Sequence, residues 1–152
     1  MAIPYSFAQS GYYNQQGAYY NVDEDNVGAS GYDLVTYQED QVRKGTRDYS
    51  TTYDGVTYLF SSASNLQAFK ENPDKYLPAY GGYCAFGVGM KPSGEYMPGK
   101  YPVDPESFKI VEGKLHLFYN EADFNALQYW NADEVNLKTR ADDLWPKIGK
   151  PN

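Results

Sequence analysis

The chain has 152 residues, 20 acidic side chains against 13 basic ones, and a net charge of −7. That balance argues against nucleic acid as a partner, since phosphate binding needs clustered Lys and Arg, and against an anionic membrane surface. One cysteine excludes a disulfide-stapled fold, and no apolar run is long enough to insert in a membrane.

Residues 1–30 form an irregular arm, rich in Tyr, Gln, Asn and Gly, with an acidic group at Asp23, Glu24 and Asp25. This composition has too few aliphatic residues to offset its ordering entropy alone. The aromatic pairs Tyr12-Tyr13 and Tyr19-Tyr20 suit contact with a protein partner or another copy of the chain, because they offer large area with few rotatable bonds. The first residues lack the basic start and apolar stretch of a signal peptide, and the compartment stays open.

A domain is expected over residues 31–148, with 149–152 as a tail. Tyr32 to Tyr37 reads as a short extended segment, and 38–48 as a polar loop. Asp54-Gly55 between two runs of β-branched and aromatic residues predicts a hairpin with a type I′ turn. Alternation sets Val56, Tyr58 and Phe60 on one face. Ser61 or Ser62 is positioned to cap a helix whose stripe carries Ala63, Leu66 and Phe69. Pro73 ends it, and a short turn then tucks Tyr76 and Leu77 inward. Gly81-Gly82 makes a tight turn just before Cys84. Residues 87–106 form a long Gly/Pro-containing loop. A second hairpin is expected around Glu112-Gly113, from Ser107–Val111 and Lys114–Tyr119, completing a small antiparallel sheet. Asn120 is expected to cap a helix carrying Phe124, Leu127 and either Trp130 or Tyr129. A last helix spans 132–144, its stripe continuing to Ile148, with Pro146 ending or bending it. The class is α+β: a small antiparallel sheet of two hairpins with helices packed on it, plus the arm.

Several motifs, taken together and in order, resemble the YHS-domain family, in particular its small stand-alone members. They are Gly31-Tyr32-Asp33, the run Tyr53 to Phe60, Asn65-Leu66 through Phe69, Asn72 to Tyr76, and Tyr80-Gly81-Gly82-Tyr83-Cys84-Ala85. Asp104-Pro105, Phe108 to Val111, Gly113 to Leu115 and Trp145 to Ile148 fit the same subgroup. The likeness covers about three-quarters of the chain. It implies a small α+β domain and, for the wider family, metal binding. In metal-type members, cysteines follow the second hairpin strand and recur four residues later. Those positions hold Ser61 and Asn65 here, and a hydroxyl with an amide does not replace two thiolates.

Among single residues, Cys84 is the leading candidate for chemistry, as a reactive thiol or a soft-metal ligand. His116 and Met90, or Met97, would complete a thiolate, imidazole and thioether set suited to copper, with zinc as the other ion to consider. The competing reading makes Cys84 a small buried hydrophobe. His116 is the only histidine, on a strand face opposite Leu115 and Leu117. A Cys84/His116 nucleophilic dyad is conceivable, yet no oxyanion motif accompanies it. Asp142 and Asp143 read as a solvated helix face, and the Asp23–Asp25 group lacks the spacing of a known cation loop. The expectation is a non-catalytic binding domain holding a soft metal near Cys84. The alternative is a metal-free assembly protein docking through its N-terminal tyrosines.

Overall fold

The computed structural model describes residues 19–90 and 101–148. It is a mixed helix and strand fold built on three short antiparallel hairpins. Strands β1 (Thr46–Tyr53) and β2 (Val56–Phe60) pair with Tyr53 opposite Val56. Their turn residues Asp54 and Gly55 both have positive φ, as a type I′ turn requires. Val56, Tyr58 and Phe60 are buried while Thr57 and Leu59 are partly covered, so the expected alternation holds. Strands β3 (Asp104–Val111) and β4 (Lys114–Phe118) repeat the pattern around Glu112 and Gly113, again both at positive φ.

The two hairpins do not join into one hydrogen-bonded sheet, which corrects the expected single sheet. Their inner edges are already occupied. Asn26 and Gly28 bond to both backbone groups of Thr57, covering β2, and Cys84 bridges to Leu117 of β4. The hairpins meet through side chains instead. Leu115 and Leu117 share an apolar cluster with Tyr58, Phe60 and Phe69. Phe69 is fully buried, its ring 5.0 Å from Phe60 and 5.4 Å from Tyr58.

Ser62, rather than Ser61, caps helix α1 (Ala63–Glu71) by accepting from the Asn65 amide at 3.1 Å. Helix α2 (Pro73–Tyr76) starts on its proline, whose missing N–H costs nothing there. Tyr76 and Leu77 turn inward as expected. The turn Ala79–Gly82 leads into the short helix α3 (Ala85–Gly89), with Cys84 at its head.

Three local expectations fail for identifiable reasons. The segment Tyr32 to Tyr37 is not extended: the Asp33 carboxylate accepts from the Val35 amide and its carbonyl from the Thr36 hydroxyl, folding it into a turn and the 3-10 helix Thr36–Glu39. Asn120 caps no helix; it enters a third hairpin, β5 (Asn120–Glu121) and β6 (Phe124–Asn125). Asn125 caps helix α4 (Ala126–Ala132) instead, accepting from the Leu127 amide. Phe124 thus leaves the helical stripe, and of the two rings offered it is Trp130 that is buried while Tyr129 is half exposed.

Helix α5 (Glu134–Ile148) runs through Pro146, which sits in its last turn. Leu137, Ala141 and Trp145, at spacings of four, form its buried stripe. They join Tyr83, Cys84, Val88, Phe118 and Trp130 in a second apolar cluster. Strand β4 lies between the clusters, giving Leu115 and Leu117 to one and Phe118 to the other. The packing also crosses the boundary expected at Gly31, since Val22 and Val27 are core residues.

Candidate functional site

Three places hold the residues singled out by sequence. The first is a polar knot around Asp33, which is completely buried. Its Oδ2 accepts from the Ser61 amide at 2.8 Å, the Ser61 hydroxyl at 2.7 Å and the Asn65 Nδ2 at 2.8 Å. Its Oδ1 accepts from the Val35 amide at 2.8 Å. Four donors thus converge on one carboxylate, which replaces the water it gave up on burial. Ser61 and Asn65 are the two positions at which the resemblance would place the cysteines of metal-type members. Here both side chains donate protons inward, and the carboxylate between them is already engaged. That set presents no thiolate and does not fit a soft metal ion.

The second place is an apolar cavity of about 300 Å³ lined by Cys84, Phe86, Gly87, Met90, Tyr101, Tyr119 and Phe124. The Cys84 side chain is buried, and burial pushes its thiol pKa up despite backbone amides of Tyr119, Gly87 and Phe86 nearby. The thiol is therefore held protonated, which favours the reading of Cys84 as a packed small hydrophobe.

The third is a cleft of about 420 Å³ between the Ala79–Gly82 turn, β4 and α5. His116 lies in it and is 1 % exposed. Its Nδ1 is 2.9 Å from the Lys114 carbonyl oxygen. A carbonyl only accepts, so Nδ1 carries the proton and Nε2 holds a lone pair. Among the described residues Nε2 has no hydrogen-bond partner. Burial lowers the pKa of the ring, as does Lys138, while the Lys114 carbonyl, Asp142 and Glu134 act in the opposite sense. Tyr80 and Trp130 flank it, with ring centroids at 5.5 and 5.6 Å. Tyr80 donates to Asp142 at 2.7 Å, and Lys138 donates to the other oxygen at 2.8 Å. Asp142 is thus part of this cleft rather than a purely solvated residue.

His116 occupies the face opposite Leu115 and Leu117, as alternation requires. It does not join Cys84 and Met90, since it lines the cleft and they line the apolar cavity. Among the described residues no group of three or more His, Cys, Asp or Glu is placed to hold a metal. Tyr12, Tyr13 and Met97 lie outside the described residues. Tyr19 and Tyr20, expected to dock on a partner, both contact their own chain and stay partly exposed. The Tyr19 ring is 5.2 Å from that of Trp145, and the Tyr20 hydroxyl donates to Asp54 at 2.8 Å. Asp23 turns its carboxylate onto the Asp25 and Val27 amides, shaping a local loop.

Sequence reasoning missed Asp33 as the centre of the knot, although its place in the Gly-Tyr-Asp motif was a signal. Lys114, Tyr80 and Asp142 gave none, because only the tertiary fold brings them beside His116.

Residues 38–80 match the family model of the YHS domain. The resemblance read from the sequence therefore holds over that segment, which runs from just before β1 through α2 to the glycine turn and is under a third of the chain. No curated protein and no solved structure matches the chain significantly. No helix among the described residues is long and apolar enough to cross a membrane.

Proposed function

We propose that the chain is a non-catalytic binding domain of YHS type that works without a metal ion at the family's ligand positions. The observation that carries this reading is the closed knot of Asp33, Ser61 and Asn65, whose donors and acceptors satisfy one another. A site built to take a cation would leave lone pairs converging on an empty point; here they converge with protons. The non-catalytic reading is supported by the separation of Cys84 from His116 and by the protonated state of the thiol, which leave Cys84 without an activating base among the described residues. A soft metal at Cys84 keeps one observation in its favour, the presence of Met90 in the same cavity.

Native mass spectrometry of the full chain with added Cu(I) and Zn(II) tests both readings. The expected result is no stoichiometric metal. A bound ion lost in Ser61→Ala or Asn65→Ala would overturn the proposal. An ion lost only in Cys84→Ala would replace it with the soft-metal reading.

A further inference from the structure

The third hairpin carries an aromatic face that core packing leaves open. Phe124 of β6 is 38 % exposed and Tyr129 of α4 is 50 % exposed, and the two rings stack on each other, 4.8 Å apart and 12° from parallel. Phe86 of α3 is the third ring, 5.9 Å from Phe124 and 5.6 Å from Tyr129. The Tyr119 ring lies 6.1 Å from Phe124. A carboxylate belongs to the same face. Glu121 pairs with Phe124 across the hairpin, so the two side chains share one side of it. Glu121 Oε2 accepts from the Tyr119 hydroxyl at 3.2 Å. Glu121 is exposed, and so is Asp123 in the turn of the same hairpin. Among the described residues neither acid forms an ion pair, and no Lys or Arg lies over the Phe124 or Tyr129 ring.

Open rings beside an unpaired carboxylate set the chemistry of a partner. An aliphatic side chain would cover the rings but strip water from Glu121 and return no donor. An acidic one would meet Glu121 and Asp123, on a chain whose net charge is −7. A lysine ammonium pairs with a carboxylate but stays strongly hydrated and has no flat face to lay on a ring. A guanidinium does both: its plane stacks on an aromatic ring while its N–H fork donates to a carboxylate. Arg and aromatic residues are also the groups enriched where protein surfaces meet. We propose that this face docks an arginine side chain of a protein partner, its guanidinium stacked on the Phe124–Tyr129 pair and donating to Glu121.

This face takes no part in the Asp33 knot, so the inference stands or falls separately from the metal question. The test is a titration of the isotope-labelled full chain by amide NMR with the peptide acetyl-Leu-Arg-Leu-amide. Counterparts carry Lys, or citrulline, the uncharged isostere of Arg, at the central position. About 0.15 M salt screens long-range attraction to the acidic chain. The Arg peptide should give saturable shifts centred on residues 119–129 and on Phe86. The citrulline peptide should bind about three- to tenfold more weakly, the worth of one charge-assisted contact at an exposed site. Glu121→Gln should bring the Arg peptide down to the citrulline value. Tyr129→Ala should weaken it about two- to fivefold, the worth of one exposed cation–ring contact. Both substituted residues are exposed, so the fold is kept. Asp48→Asn, the same charge change on an exposed residue of β1, should leave the affinity unchanged. The proposal is overturned if the Arg peptide gives no saturable shifts at this face, if Glu121→Gln leaves its affinity unchanged, or if Asp48→Asn weakens it as much. It is also overturned if the Lys or citrulline peptide binds as tightly as the Arg peptide. Shifts at the same face on dilution of the chain without peptide would assign it to a second copy instead and overturn it too.

Discussion

Asp33→Asn is the sharpest probe of the fold's polar centre. The substitution keeps shape and volume and exchanges one carboxylate oxygen for an NH2 group. The better orientation keeps the remaining oxygen toward Ser61 and Asn65, where three donors lie within 2.8 Å. The NH2 then faces the Val35 amide, whose bond to Oδ1 was 2.8 Å. One charge-assisted bond is lost, at about 1.5–3 kcal/mol, and three others weaken from charged to neutral partners, at about 0.5 kcal/mol each. The expected loss is about 3–4.5 kcal/mol, a large part of the roughly 5–15 kcal/mol that holds a domain together. Urea unfolding followed by tryptophan fluorescence should show the midpoint falling by about 1–3 M at an unchanged slope. Ser61→Ala alone should cost about 1–2 kcal/mol, and about 0.5 kcal/mol less in the Asp33→Asn background, where its hydroxyl donates to a neutral oxygen. An Asn variant within about 0.5 kcal/mol of the parent would refute the idea that the buried carboxylate organises these four donors.

The lowered pKa of His116 makes stability depend on pH with a definite sign. The unfolded chain binds the proton more readily than the folded one, so stability is full above the ordinary His value and is lost as pH falls from there toward the folded pKa. The loss approaches at most about 1.4 kcal/mol per pH unit, and His116→Gln should flatten it in urea titrations across that window. The raised pKa of Cys84 and its burial predict that Ellman's reagent modifies the native thiol far more slowly than the urea-unfolded one; equal rates would show an accessible thiolate. Gly81 has φ +63°, and an added Cβ would collide with the Tyr19 carbonyl and lie 2.9 Å from the Trp145 ring. Gly81→Ala should therefore cost about 1–3 kcal/mol and shift the Trp145 fluorescence as the Tyr19 segment is displaced. Deleting residues 1–28 removes the buried Val22 and Val27 and should lower the melting temperature strongly. A melting temperature unchanged by that deletion would refute the docking of residues 19–28.

Both long hairpins were legible because a type I′ turn has a local chemical requirement that Asp54-Gly55 and Glu112-Gly113 meet on their own. The cap at Ser62 and the inward turn of Tyr76 and Leu77 were legible for the same reason, as was the alternation of β2. The third hairpin was not, since Asn120 and Asn125 are both competent caps and only pairing across Ala122 decides between them. The candidate site was legible only in fragments. Cys84 and His116 are visible as single residues, but nothing in their spacing says whether they meet.

By itself, the sequence determined the two long hairpins, the first helix with its cap, the α+β class and the resemblance to the YHS domain. These rest on φ preferences, side-chain alternation and short-range hydrogen bonds, all of which act between neighbours in the chain. Only the tertiary structure decided that Asp33 reaches across the chain to Ser61 and Asn65, that Tyr19 folds onto Trp145, and that His116 is buried beside a cleft while Cys84 lines a separate cavity. Those outcomes depend on which buried donor finds which acceptor once the two apolar clusters close around β4, and residues that lie far apart in the chain carry no local mark of that choice.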